Sequence, residues 1–156
     1  MEKSVRLLIV LSLLLSWPLP VLAENLREVA DRSGSFKIFL SAAKTSGIIG
    51  ELESRHPLTL FLPTDTAFTQ LPDGEWETIS RNRKRLAEVL RYHMVNGRMK
   101  VTEVKPGLTQ SLSGSDLMLK SDNGMVTVNG ARVTESDLPA DNGIIHGIDR
   151  VLIPPE

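Results

Sequence analysis

The periodicity of the chain changes once, near Gly97, and that change limits the fold more than any other feature of the sequence. Before it lie stretches with apolar residues three and four apart, interrupted by one short apolar run. After it lie short segments rich in Val, Leu and Thr, separated by Gly, Ser, Asn and Asp. The first pattern belongs to amphipathic helices and the second to strands joined by turns. Helices first and strands afterwards is not the alternation that builds a doubly wound parallel sheet. The expected class is therefore α+β, dominated by an antiparallel sheet.

Ser33 or Ser35 can cap a helix that carries Phe36, Phe39, Leu40 and Ala43 on one face and ends at Gly47. A short helical piece follows over 48–52, and the run 58–62 reads as a buried strand stopped by Pro63. Thr64 or Asp65 can then accept hydrogen bonds from the N–H groups of the next turn, whose apolar face is Ala67 and Phe68. The stretch 75–94 has Trp76, Ile79, Leu86 and Leu90 on one face, and Asn82 divides it into two helices. Strands are expected at 108–112, 117–120, 125–128, 132–134, 143–149 and 151–153, with a loop over 136–142. Asn129-Gly130 between Val128 and Ala131 is a hairpin signal, since both residues accept the positive φ of a two-residue turn. No repeat and no internal boundary appears, so residues 24–156 read as one domain.

The first 23 residues read differently. Lys3 and Arg6 precede an apolar run of about nine residues, short of the roughly 20 that a spanning helix needs, and Val21 and Ala23 suit a signal peptidase. Residues 1–23 are thus expected to be a signal peptide cleaved after Ala23, which places the mature chain in the periplasm or outside the cell. The chain has no cysteine, which excludes disulfides, thiolate chemistry and a lipoprotein anchor. The mature chain is expected to have no integral membrane segment. A formal charge of -1 and seven aromatic residues supply neither the positive field nor the stacking surface for nucleic acid.

Catalytic patterns are missing. His56, His93 and His146 have no second histidine or cysteine at ligand spacing, so no metal is expected. His56 reads as solvated, whereas His93 and His146 sit among apolar residues and read as neutral core imidazoles with both nitrogens hydrogen-bonded. Asp137, Asp141 and Asp149 lie close together but read as turn, cap and orienting residues. No phosphate loop, nucleophile elbow or calcium loop is present, and no cofactor is expected. Arg81-Asn82-Arg83-Lys84-Arg85 is the one basic cluster; it reads as a solvated face, with attraction of an acidic glycan or an anionic surface as its functional alternative.

Three ordered motifs resemble the fasciclin-like (FAS1) domain family. Leu60-Phe61-Leu62-Pro63-Thr64-Asp65-Thr66-Ala67-Phe68 is similar to its first signature, Leu90-Arg91-Tyr92-His93-Met94-Val95 to its central Tyr-His motif, and the run from Asn142 and Gly143 through His146 and Asp149 to Pro154 to its last. The resemblance covers about residues 25–155, and the signal segment and single-domain economy suggest a bacterial-type member. It implies a wedge of about seven strands in a sandwich-like sheet system carrying helices, and a non-catalytic extracellular or periplasmic module for adhesion and protein interaction. Within the motifs Thr64, Asp65, Phe68, Asn142, Gly143, His146 and Asp149 are expected to preserve the fold. In some animal members a Tyr-His and an Asp-Ile pair are implicated in integrin binding; Tyr92 and His93 match the first, and Asp137 with Leu138 resembles the second. These four are the candidate contacts for an envelope or extracellular protein or glycan. Two other readings compete: a soluble carrier holding an apolar or lipid ligand between segments 36–52, 76–94 and the sheet, and an enzyme using His93 or His146 with a distant carboxylate.

Overall fold

A computed structural model describes Pro18 and residues 22–156, so residues 1–17 and 19–21 of the expected signal peptide lie outside the described residues. The first helix, α1 (Leu26–Ser33), begins with a reciprocal cap: the Asn25 side chain accepts the Glu28 N–H, and the Glu28 carboxylate accepts the Asn25 N–H. It precedes the first helix expected from the sequence. Next come α2 (Lys37–Ser46), ended by Gly47 at φ 86°, α3 (Ile49–Glu53), β1 (Leu58–Pro63) and α4 (Asp65–Phe68). Neither Ser33 nor Ser35 caps α2. Instead the Asp65 carboxylate accepts the Ile38 N–H at 2.8 Å, while the Asp65 N–H donates to the Ser35 carbonyl at 2.9 Å. Asp65, expected to cap its own turn, caps a helix 27 residues upstream and ties it to the end of β1. Helices α5 (Glu75–Arg81) and α6 (Arg83–Tyr92) meet at Asn82, whose side chain caps α6 by accepting the Arg85 N–H.

Seven strands form the sheet. β2 (Met94–Asn96) follows α6 directly, where the helical pattern runs on in the sequence, and a 3-10 turn (Val101–Glu103) leads to β3 (Gly107–Gln110). The rest are β4 (Asp116–Asp122), β5 (Met125–Val128), β6 (Ala131–Ala140) and β7 (Gly143–Ile148), and their order in the sheet is β2-β1-β7-β6-β5-β4-β3. Strands β3 to β7 form the expected antiparallel meander. The hairpin at Asn129-Gly130 has φ of 48° and 82°, and Asn123-Gly124 repeats the geometry at 48° and 80°. Two segments differ from expectation. Residues 136–140 are not a loop but the bulged end of β6, and 151–153 are not a strand.

The sheet is mixed rather than wholly antiparallel, because β1 runs parallel to β7, from Leu58 opposite Gly143 to Pro63 opposite Ile148. A parallel pair needs cover on both faces, and every residue of both strands is buried. On one face Leu60, Leu62 and Ile145 pack under the helices with Phe36, Phe39, Leu86 and Leu90. On the other, Phe61 and Ile148 join Val95, Leu117, Leu119, Val126 and Val128 inside the curled sheet. The curl brings its two edges together, and Leu112 beyond β3 donates its N–H to the Met94 carbonyl of β2 at 2.8 Å. The result is a nearly closed barrel with helices on one flank.

The β1–β7 approach is close at one point. A side chain on Gly143 would collide with the Leu58 carbonyl and touch Leu26. Gly143→Ala is therefore expected to destabilise the protein by about 2 kcal/mol or more, whereas Gly50→Ala, in α3 with open space around it, is neutral or slightly stabilising. Urea unfolding midpoints measure both, and equal midpoints would contradict the packing.

Candidate functional site

The residues singled out in the sequence fall into two buried nodes on opposite sides of the β1–β7 pair. His93 stands just beyond the last turn of α6. Its Nδ1 lies 2.8 Å from the Val89 carbonyl and its Nε2 lies 2.9 Å from the Leu152 N–H, so Nδ1 carries the proton and Nε2 the lone pair. The ring is fully buried, edge-on to Phe39 at 5.8 Å. Its neighbour Tyr92 turns the other way, into the barrel. The Tyr92 hydroxyl donates to the Asp116 carbonyl at 2.9 Å and accepts from the Asn129 amide at 2.7 Å, which ties α6 to the strand bearing Asp116 and to the Asn129-Gly130 turn. At 3% exposure Tyr92 presents no face to a partner. The Tyr-His pair is thus a link between the two cores.

His146, on β7, has the opposite tautomer. Its Nε2 donates to the Met99 carbonyl at 2.7 Å and its Nδ1 accepts the Asp137 N–H at 3.1 Å, while its ring stacks on Phe61 at 5.6 Å. Asp137 sits at the β6 bulge with φ 57° and accepts the Val101 N–H on Oδ1 at 2.8 Å; the same oxygen is 3.8 Å from His146 Nδ1. His146 and Asp137 together hold segment 99–101 against β6. Leu138, opposite Ile145, is half-buried. Of the four candidate contacts, Asp137 and Leu138 reach the surface and Tyr92 and His93 do not.

The remaining motif residues serve main-chain groups. Asn142 accepts the Leu26 N–H and donates to the Leu52 and Ser54 carbonyls, which joins α1, α3 and the entry to β7. Thr64 donates its N–H to the Ile148 carbonyl, and Asp149 exchanges two hydrogen bonds with the Arg132 backbone, one through its carboxylate. Phe68 meets Trp76 edge-on at 4.6 Å. Thr59 is a further residue of this kind that carries no motif in the sequence. Buried in an apolar run, it donates to the Gly97 carbonyl and accepts the Met99 N–H.

Burial pulls the His93 pKa down to about 4, against the opposing hydrogen bond to Val89. Burial lowers His146 as well, opposed by the Met99 carbonyl and the Asp137 carboxylate. Each is a neutral imidazole with both nitrogens engaged, which leaves no lone pair for a metal or a substrate proton. Among the described residues no group of three or more His, Asp or Glu is placed to hold a metal ion. His56 is exposed. Segments 36–52 and 76–94 part only into a surface groove, because the fully buried Phe39, Leu52, Leu86 and Leu90 fill the space between these segments and the sheet.

The profile of the Fasciclin domain matches residues 34–154. Protein sll1483 of Synechocystis sp. is 37% identical over 135 residues, which span 85% of this chain and 75% of that protein. Transforming growth factor-beta-induced protein ig-h3 of Sus scrofa is 36% identical over 130 residues, 82% of this chain but 19% of its own length. Among solved structures, a FAS1 domain pair from the insect cell adhesion molecule Fasciclin I matches with a TM-score of 0.66 at 14% identity, over 83% of this chain and 51% of that one. The fold is the same.

The depressed imidazole pKa of His93 makes stability depend on pH in one direction. The unfolded chain takes up the proton first, so the contribution is fully present above the ordinary value of 6.5 and is lost as pH falls from there toward about 4. For His93 the whole loss is about 3 kcal/mol. Urea unfolding between pH 7 and pH 5 is expected to show the decline in wild type and equally in His56→Ala; a flat profile would contradict it. At pH 7, His146→Ala strands the Met99 carbonyl and the Asp137 N–H and is expected to cost about 1–3 kcal/mol, against no change for His56→Ala.

Proposed function

The chain belongs to the fasciclin domain family, and from that premise we propose that it is a non-catalytic interaction module. It is exported to the periplasm or beyond, and it mediates adhesion, or protein or glycan binding, at the cell envelope. One observation carries the non-catalytic reading: the Asp65, His93, Asn142, His146 and Asp149 side chains are each committed to main-chain partners, and both motif histidines are buried and neutral. Export rests on the signal-like residues 1–23. Among the described residues no helix is long and apolar enough to cross a membrane.

The contact surface in this reading is the β6 bulge at Asp137 and Leu138. Tyr92 and His93 act from behind it, holding the barrel and the helices in register. A single domain offers one interface of standard size, roughly 1,200–2,000 Å2 counting both partners, so adhesion gains from several copies acting together.

Two measurements test the reading. The mature N-terminus, read by mass spectrometry from fractionated host cells, is expected at Glu24 in the envelope or external fraction; an intact Met1 in the cytoplasm would overturn export. Cross-linking on intact cells is expected to capture an envelope component with wild type and to lose it with Leu138→Glu. Capture that is unchanged in that variant would remove the bulge as the contact surface.

A further inference from the structure

A groove of about 370 Å3 runs between α2 and the α5–α6 pair, on the helical flank and away from both histidine nodes. We propose that this groove binds an acidic saccharide, with a sugar ring against the Trp76 indole and its carboxylate among Lys37, Lys44 and Arg83. The inference rests on the reading of the chain as an interaction module, and it adds a partner class and a surface distinct from the Asp137–Leu138 bulge.

The groove has an apolar floor of Ile38, Ala42 and Leu86. Ser41 and Thr45, one turn apart on α2, form one wall, and Trp76 and Ser80, one turn apart on α5, form the other. The Thr45 hydroxyl donates to the Ser41 carbonyl and keeps its lone pairs free, while the Ser41 and Ser80 hydroxyls have no protein partner among the described residues. Both walls are helical, so their main-chain groups are bonded within the helices. What remains for a ligand is an indole, hydroxyls and ammonium or guanidinium groups. An extended peptide would find no backbone edge there. A sugar ring fits the same set: its C–H face is apolar and lies on an aromatic face, and its hydroxyls pair with Ser and Thr.

The electrostatics select the acidic kind. Residues 37–46 contain Lys37 and Lys44 and no acid, and residues 80–85 contain Arg81, Arg83, Lys84 and Arg85 and no acid, in a chain whose formal charge is -1. Arg85 is paired with Glu88; among the described residues the other five are in no ion pair. Arg83 donates Nε to the Ser46 carbonyl at 3.2 Å and lays its guanidinium over Gly47, at the C-terminal end of α2 and next to Thr45. Trp76 also borders a second groove on its other side, which carries Asp73 and Glu77 and so disfavours an anion. Phe68, edge-on to the indole, keeps Trp76 in place, which lowers the ordering cost of binding.

The test is calorimetric titration of the purified protein with a polyuronate oligosaccharide, a neutral dextran oligosaccharide of equal length, and phosphatidylglycerol vesicles. Saturable binding to the uronate alone is expected, weakening as salt rises. The double variant Lys37→Glu, Lys44→Glu is expected to weaken it about tenfold or more, and Trp76→Phe to weaken it with the fold retained. Equal binding to dextran, binding to vesicles without the oligosaccharide, indifference to the Lys variants, or no binding at all would each overturn the proposal. If the groove fails in this way while capture through Leu138 persists, the interaction-module reading stands without it.

Discussion

The parallel pairing of β1 with β7 is the constraint on which the rest of the molecule depends. Residues 58–63 and 143–148 are 85 positions apart and hydrogen-bond along their whole length, so the chain between them must leave and return as one crossover. That crossover contains the last three helices and five of the seven strands. Because the pair is buried on both faces, it needs two cores, and the alternation of a strand supplies them: Leu60 and Leu62 point to the helices and Phe61 to the barrel. A mismatch of one residue in this register would exchange the two sets. The polar motif residues fix the register from the ends. Asn142 binds the main chain of α1 and α3 at the start, and Thr64 and Asp65 bind β7 and α2 at the finish.

Much of this was legible in the chain, and the exceptions share a cause. Elements defined by local pattern appear where periodicity puts them: α2 ending at Gly47, the break at Asn82, and the hairpin at Asn129-Gly130. The parallel pair was not legible, because the apolar run at 58–62 is equally compatible with either direction and only tertiary packing decides. Helix α1 was missed because three apolar residues in two turns give a weak pattern, although Asn25 and Glu28 stand at capping-box spacing. The strand β2 was hidden by Met94 extending the helical stripe, and β6 by a bulge at Asp137 that puts turn-forming residues inside a strand.

The site residues show the same division. Burial of His93 and His146 with both nitrogens bonded follows from their apolar neighbours in the sequence. Their partners do not, since Val89, Leu152, Met99 and Asp137 are brought together only by the fold. Tyr92 matches a motif associated with recognition in relatives of the family, yet here its hydroxyl closes a contact between α6 and the turn that starts β6. A motif can recur because the fold needs it, and the surface above it is then free to vary.

The central claim is that the motif histidines are neutral structural links of opposite tautomer rather than reactive groups. Imidazole nitrogen NMR tests it most directly. The account predicts that His93 carries its proton on Nδ1 and His146 on Nε2, that His93 stays neutral between pH 7 and pH 5.5, and that His146 takes up a proton only below the ordinary imidazole value. Protonation of His93 or His146 near the ordinary imidazole value, or rapid exchange between tautomers at either ring, would contradict it.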